Sequence, residues 1–301
     1  MELWILATIA ATVFQTLRFM LQKQLSMGAL STAGATFARF AYSAPLLFVA
    51  VSLWFVMNGA PLPEFGARFW IMGAAGGLAQ ILATVCVVAL FRARNFAVGI
   101  TFKKTEVMLS VLVGIAILGE GVSTLGFIAI LIGLSGVLML SNTPDAVGSW
   151  SERIFTRAAA LGLGSGLLFA ISGVTYRAAT LEVAADAPFL RAAVTLSAVT
   201  MMQFFAMAIW LRWREPGQIA AVWGARRKAV LIGLTSVSGS LGWFVAFTLQ
   251  TAAYVNALGQ VELIFSLLVS VLVFKEKLSL REGAGIALLS VSVLMLILVT
   301  R

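Results

Sequence analysis

Long apolar runs dominate this chain, and short polar stretches separate them. Each run is about 20 residues long, the length at which a helix crosses the hydrocarbon core of a bilayer. Helices are expected because an unpaired backbone group in lipid costs several kcal/mol. The pattern therefore predicts an all-α integral membrane protein with ten transmembrane helices. The predicted spans are 3–22, 35–57, 69–91, 96–118, 123–141, 157–177, 188–211, 229–249, 254–274 and 280–300.

The composition excludes several classes of protein. Hydrophobic residues make up 61% of the 301 residues and charged residues only 11%, whereas a soluble domain carries about 25% charged residues. A soluble enzyme is therefore excluded. The chain has no histidine and one cysteine, Cys86, so we expect no metal site, no cofactor and no internal disulfide. Asp145 and Asp186 both fall in predicted loops, which disfavours an intramembrane enzyme.

The second half of the chain repeats the first. A shift of 156 residues places Glu106 on Glu262, and a shift of 152 residues places Arg39 on Arg191. Apolar identities between two membrane helices arise easily by chance. Charged identities in one register do not, so the pattern indicates an internal duplication.

The number of spans in each copy determines how the copies are related. Because five is odd, a second copy of five spans must enter the membrane from the opposite side. The halves then form an inverted-topology repeat, the arrangement that many transporters use for alternating access. We expect one five-helix repeat at 1–141, a linker at 142–156 and the other repeat at 157–301.

Short motifs resemble those of a known transporter group. Leu118-Gly119-Glu120 and Phe274-Lys275-Glu276 close the fourth and ninth predicted spans, and Arg39-Phe40 lies early in the second. With ten spans in two halves, the chain resembles the EamA-type exporters of the drug/metabolite transporter superfamily. Amino acid efflux proteins, including those for aromatic amino acids, are the nearest in layout. The resemblance implies a metabolite exporter of the bacterial inner membrane. Many relatives have proline where this chain has Glu106 and Glu262.

The distribution of basic residues predicts the orientation in the membrane. Lysine and arginine collect in loops that stay in the cytoplasm. The even-numbered connections hold little more than Arg68 and Arg177. This bias predicts that both termini lie outside, although many relatives are thought to keep them inside. The odd-numbered connections hold Lys23, Arg92, Arg94, Arg153, Arg157, Arg212, Arg214, Arg226, Arg227, Lys228, Lys275, Lys277 and Arg281.

Charged residues within the predicted spans are the first candidates for a functional site. A charge near the bilayer centre costs about 2.5 kcal/mol or more, so it faces a cavity or a partner. The charged candidates are Arg39, Lys103, Lys104, Glu106, Arg191 and Glu262. The polar and aromatic candidates for a substrate cavity are Gln15, Gln80, Tyr176, Trp243, Asn256 and Gln260. Weaker candidates are Arg18, Thr84, Gln203 and Tyr254.

Two roles remain open for the charged candidates. Lys103 and Glu106 are three residues apart and share one helix face, so they form either a structural ion pair or part of a site for a substrate carboxylate. At the positions that match Lys103 and Lys104, the second half has Gly259 and Gln260. Glu262 must therefore find a cation elsewhere in the fold or be protonated.

Other candidates also have two interpretations. Arg39 and Arg191 lie near the starts of matched spans, where they either extend to lipid headgroups or clamp the substrate. Trp243 lies in the middle of a span beside glycine and forms either a cavity wall or ordinary packing. Pro45 interrupts the second span and is a candidate hinge.

The function that fits these features best is secondary transport of a small metabolite. No Walker A motif is present, so transport is expected to use a gradient of solute or protons. Cationic candidates outnumber anionic ones, which favours a carboxylate-bearing solute such as an amino acid. Sugars, nucleobases, drugs and a passive channel remain as alternatives. The net charge of +9 is explained by cytoplasmic loops, so we expect a lipid bilayer but no nucleic acid as a partner. We expect a monomer.

Overall fold

The computed structural model describes residues 2–28, 30–90, 103–140, 157–264 and 280–299. Within these ranges the chain is helical and contains no strand. The helices are α1 (Leu3–Ser26), α2 (Thr32–Asn58), α3 (Ala67–Leu90), α4 (Glu106–Leu118), α5 (Thr124–Leu140), α6 (Arg157–Leu181), α7 (Pro188–Arg214), α8 (Gln218–Gly224), α9 (Arg226–Leu249), α10 (Ala252–Leu258) and α11 (Leu280–Val299), with a 3-10 turn at Gly259–Val261.

The helices follow the predicted spans. Six of them, α1, α2, α3, α6, α7 and α9, are long and apolar enough to cross a bilayer. Shorter apolar helices at Glu106–Leu118, Thr124–Met139 and Gly283–Val299 lie in the fourth, fifth and tenth predicted spans. Parts of the fourth and ninth spans, 96–102 and 265–274, lie outside the described residues. The prediction of a multi-pass helical membrane protein is confirmed, and the count of ten stays a prediction.

Helices of the first half pack mainly on helices of the second. The most extensive contacts join α3 to α6, α5 to α11 and α1 to α9, followed by α2 to α7 and α4 to α6. The halves are therefore interlocked, and the space at the centre of the bundle is bounded by both of them.

Small residues allow these helix pairs to approach closely. A Cβ atom added at Gly136 of α5 would lie 2.8 Å from the carbonyl oxygen of Gly285 in α11. The hydroxyl of Ser292 donates to the carbonyl oxygen of Ala129 at 2.7 Å across the same contact. Close backbone approach and interhelical hydrogen bonds are the means by which helices associate in lipid.

The helix connections divide between two ends of the bundle. At one end, the amide of Ser31 donates to Oε1 of Gln218 at 2.9 Å, which ties the start of α2 to α8. At the opposite end, Arg68 and Glu182 form an ion pair at 3.5 Å. We call the first end the basic end, because it carries the cations Lys23, Arg212, Arg214, Arg226, Arg227 and Lys228.

The second helix begins at the basic end and includes the candidate hinge. Its first turn is capped by the hydroxyl of Ser31, which accepts from the amide of Gly34 at 2.9 Å. The helix continues through Pro45, although proline cannot donate its backbone hydrogen bond. Gly59 ends it with a φ of 57°, a left-handed conformation that glycine adopts without strain. The hinge role of Pro45 stays a prediction.

Candidate functional site

A cavity lies between the two halves. It encloses about 660 Å³ including its open mouth, of which about 50 Å³ is open to the centre of a water molecule. That smaller volume has room for roughly four waters. Eleven of the twelve predicted site residues line this cavity, namely Gln15, Arg39, Gln80, Lys103, Lys104, Glu106, Tyr176, Trp243, Asn256, Gln260 and Glu262.

Arg39 is buried and held by neutral hydroxyl groups. Its Nε donates to Ser236 at 2.9 Å, and its Nη2 donates to Ser240 at 2.9 Å. A longer contact of 3.4 Å joins Nη1 to the hydroxyl of Thr84. Among the described residues, no carboxylate lies within ion-pair distance of this guanidinium. Its charge is therefore oriented by the protein without being neutralised by a side chain.

Arg191 is the one predicted site residue that the structure places away from the cavity. Its Nε donates to the carbonyl oxygen of Thr180 at 3.0 Å, and its Nη2 donates to that of Leu181 at 2.9 Å. These carbonyls belong to the last turn of α6, where backbone oxygens lack partners within the helix. Arg191 therefore caps α6 and does not face the space into which Arg39 projects.

The position of each arginine along its helix explains this difference. Arg39 is the eighth residue of α2, whereas Arg191 is the fourth residue of α7. Four residues of helix rise about 6 Å, so Arg191 lies about one turn nearer to its helix start. There it meets the free carbonyls of α6, because the connection to α7 is only 182–187.

Lys103 and Glu106 form the predicted ion pair. Nζ of Lys103 lies 2.9 Å from Oε2 of Glu106, and both side chains are nearly buried, at 10% and 13% exposed. The same ammonium lies 4.9 Å from the centre of the Phe169 ring, a cation–π contact. The pair is internally neutral, although it lies on the cavity wall.

Glu262 faces cations from the other half of the chain. Arg18, Lys103 and Lys104 all lie close enough to interact with its charge. Glu262 therefore lies near cations of the first half, which is one of the two alternatives that the sequence left open. The carboxylate shares the cavity with three cations of the first half.

Arg18 is a weaker candidate in the sequence, yet it belongs to the cavity lining. It is 3% exposed and lines the cavity, and its guanidinium lies 4.5 Å from the centre of the Phe19 ring. Its Nε has no hydrogen-bond partner among the described residues. The predicted span ended at residue 22, but α1 continues to Ser26. Arg18 therefore lies two helical turns from the end of its helix and not one.

Aromatic side chains form one wall of the cavity. Trp243 donates its Nε1 hydrogen to Oε1 of Gln15 at 3.2 Å, and its ring stacks on Phe247 with centroids 5.8 Å apart. Tyr176 and Phe244 form a second ring pair with centroids 4.4 Å apart. This arrangement supports the interpretation of Trp243 as a cavity wall.

Amide and hydroxyl groups complete the lining. The hydroxyl of Tyr176 donates to Oε1 of Gln80 at 3.1 Å and accepts from Nε2 of Gln203 at 3.2 Å. Nδ2 of Asn256 donates to the hydroxyl of Ser110 at 2.7 Å. Oε1 of Gln260 is buried and has no hydrogen-bond partner in the described part of the chain. The cavity thus presents both a donor and an acceptor that the described residues leave unpaired.

Several lining residues have no signal in the sequence. These residues have apolar or small side chains, which also occur in ordinary helix packing. They are Phe169, Ser172, Gly173, Ser240, Phe244, Phe247 and Gly259.

A second charged cluster closes the end opposite the basic end. Arg177 makes a two-pronged contact with Glu120, with Nε to Oε2 at 2.7 Å and Nη2 to Oε1 at 2.9 Å. Its Nη1 also donates to the carbonyl oxygens of Phe247 at 2.8 Å and Gln250 at 3.0 Å. This clasp ties the α4–α5 turn to α6 and the end of α9. The matched Glu276 lies outside the described residues.

Comparison with known proteins gives a class that agrees with this fold. Residues 156–298 match the EamA-like transporter family. A solved structure described only as "Crystal structure of protein" covers 96% of this chain and 98% of its own, with a TM-score of 0.63 and 17% identity. At that identity the likeness shows the fold alone. No curated protein matches the chain.

The family match supports the resemblance to the drug/metabolite transporter superfamily, and with it a membrane transporter of small solutes. The polar cavity is lined by residues of α1, α2, α3, α4, α6, α9 and α10 and of the segments next to them. The comparisons indicate no substrate, and the amino acid efflux subgroup is not supported by them.

Proposed function

We propose that this chain is a secondary transporter that exports amino acids across the bacterial inner membrane by alternating access. The observation that carries the proposal is the charged and polar cavity, which lies between interlocked halves of a bundle that is otherwise apolar. Charged side chains at this depth are costly unless they serve a solute pathway or pair with each other. The protein would act as a monomer, because one chain already encloses the cavity.

Two unpaired polar atoms support an amino acid as the solute. Nε of Arg18 is a buried donor without a partner, and Oε1 of Gln260 is a buried acceptor without one, within the described residues. Leaving such groups unsatisfied costs about 1–3 kcal/mol each. A carboxylate would accept from Arg18, and an ammonium group would donate to Gln260. An α-amino acid carries both groups on one carbon.

The pattern of helix contacts supports an inverted repeat. In an inverted repeat, α1 corresponds to α6, α2 to α7, α3 to α9 and α5 to α11. The α1–α9 contact then corresponds to the α6–α3 contact, whereas α2–α7 and α5–α11 each join a helix to its own counterpart. Three of these contacts are the most extensive in the bundle, and α2–α7 comes next, level with α4–α6. The matched pair Glu106 and Glu262 also lines one cavity. Rocking of such halves would open the cavity first to one side and then to the other.

The charges at the helix ends support an orientation. Lys23, Arg212 and Arg226 belong to the basic end, whereas Glu64, Glu182 and other acidic residues occur at the opposite end. By the positive-inside rule the basic end faces the cytoplasm. The N-terminus then lies outside, and the clasp of Arg177 and Glu120 closes the outer side.

Counterflow in proteoliposomes tests the proposal. Vesicles containing the purified full chain are loaded with one unlabelled solute and diluted into a trace of the same labelled solute. Panels of amino acids, sugars, nucleosides and drugs are compared with protein-free vesicles. We expect saturable accumulation of at least one amino acid. Accumulation of sugars or nucleosides alone would contradict the proposed substrate, and no accumulation of any solute would contradict transport.

A further inference from the structure

We propose that the solute bears two anionic groups, one for each of the two arginines in the cavity, so that acidic amino acids are preferred to neutral ones. This inference rests on the proposed transport function and narrows its substrate class. The observation that supports it is an excess of cations over carboxylates in the cavity lining. The described cavity lining contains four cations and two carboxylates, namely Arg18, Arg39, Lys103 and Lys104 against Glu106 and Glu262.

The two carboxylates cannot compensate all four cations of the lining. Glu106 is paired with Lys103 at 2.9 Å, which makes that pair neutral. Glu262 interacts electrostatically with Arg18, Lys103 and Lys104, and one carboxylate cannot neutralise all of them. The net charge of the lining is therefore two positive.

The two arginines differ in their contacts from Lys103, which is paired with Glu106. Within the described residues, neither guanidinium has a carboxylate at ion-pair distance. Arg39 is fixed by the hydroxyls of Ser236 and Ser240, and Arg18 leaves its Nε without any partner. The two also lie close enough to repel each other. Two like charges that are buried together are costly unless an opposite charge compensates them. An anionic ligand would supply that charge.

A guanidinium presents a planar set of donors that matches a carboxylate. A solute with two carboxylates would place one on each arginine, and its ammonium group would meet Gln260 and Glu262. Its methylene groups would lie against the ring of Trp243, which lines the same cavity. A neutral amino acid satisfies one arginine only, and a basic one adds to the positive charge.

Equilibrium binding to the purified full chain tests this inference with a matched set of probes. L-glutamate and L-glutamine differ only in charge at the end of the side chain, L-lysine reverses that charge, and succinate has two carboxylates but no ammonium. We expect L-glutamate to bind with a Kd about tenfold or more below that of L-glutamine, since a hydrogen bond to a charged group is worth a factor of this order. L-lysine should bind most weakly.

Variants show which arginine gives the preference. In Arg39→Gln, the ratio of the two Kd values should fall to about threefold or less, because the remaining contacts are shared by both probes. Arg191→Gln is the control, since this residue caps α6 outside the cavity, and it should keep the full ratio. Arg18→Gln offers a second test if Arg39→Gln does not fold.

The outcomes separate this inference from the proposed function. If wild-type protein binds L-glutamine as tightly as L-glutamate, the two-anion inference is wrong, while saturable counterflow of L-glutamine would leave amino acid transport intact. If succinate binds as tightly as L-glutamate, the inference stands and the amino acid assignment falls. A glutamate preference that survives in both arginine variants would also overturn the inference.

Discussion

The two halves of the molecule contribute different chemistry to one cavity. All four cations that line it, Arg18, Arg39, Lys103 and Lys104, come from the first half. The aromatic lining residues, Phe169, Tyr176, Trp243, Phe244 and Phe247, all come from the second. The helix contacts match across the halves, but the lining does not. The two halves therefore share a pattern of helix contacts but contribute different side chains to the cavity.

The first half depends on an ion pair that the second half lacks. In Glu106→Gln, Lys103 would be left in a nearly buried position without its carboxylate, and breaking such a pair costs about 3–5 kcal/mol. This is the largest effect that we expect, measured as a loss of thermal stability and of folded yield.

The double variant Lys103→Gln, Glu106→Gln is the control for that prediction. It removes both charges and should recover most of the stability, because neither member of the pair is then left as an uncompensated buried charge. If the single variant is as stable as wild type, the ion pair has no structural role.

The matched arginines provide the sharpest comparison between the halves. Arg39→Gln removes a cation from the cavity wall, and the loss of charged hydrogen bonds should lower counterflow by about 10- to 100-fold. Arg191→Gln removes only a cap on the last turn of α6, and transport should stay within about twofold of wild type. Equal losses in the two variants would show that the difference in depth between the arginines does not matter for transport.

A glycine in the second half occupies the position that Lys103 has in the first. A Cβ atom at Gly259 would lie 2.6 Å from Cη2 of Trp243, so Gly259→Ala must displace the indole. Overpacking of this kind costs about 1–3 kcal/mol, and we expect a several-fold loss of transport. Gly164→Ala is the control, because nothing lies within 4 Å of its added Cβ. If Gly259→Ala transports as well as Gly164→Ala, the indole is not held in place by this contact.

The smallest effect concerns a single hydrogen bond between the halves. Trp243→Phe removes the donor to Gln15 but keeps an aromatic ring, and a bond of this kind is worth about 0.5–1.5 kcal/mol. The KM for the transported solute should rise about two- to tenfold. Trp213→Phe is the control, because Trp213 is 85% exposed and distant from the cavity. A KM that is unchanged in both variants would remove Trp243 from the site.

The sequence was sufficient for most of the cavity because charge is rare in a membrane span. Glu106 and Glu262 were recognisable by their cost in lipid, and their common register indicated the duplication. Arg191 is also a charged residue within a predicted span. Its contacts, however, depend on where α7 begins relative to the end of α6. No sequence pattern gives that register to within one turn.

The residues that sequence analysis missed are of two kinds. Arg18 is only a weaker candidate in the sequence, where the predicted first span ends at residue 22, whereas α1 continues to Ser26. Phe169 and Phe244 look like any other apolar residue in a helix, and only the packing of α6 and α9 turns them toward the cavity. The sequence shows which side chains are costly in lipid, whereas the structure is needed to show which apolar side chains line the cavity.

The accessibility of one cavity position from both sides of the membrane tests the central claim most directly. In a Cys86→Ser background, Ser172→Cys places a thiol on the cavity wall, and Trp213→Cys places a control thiol near the basic end. A membrane-impermeant maleimide is applied to sealed vesicles of either orientation, with and without a transported amino acid. We expect the cavity thiol to react from both sides and to be protected by the solute, while the control thiol reacts mainly from the basic side. Labelling of the cavity thiol from one side only, with no protection, would contradict a chamber that opens alternately between the two halves.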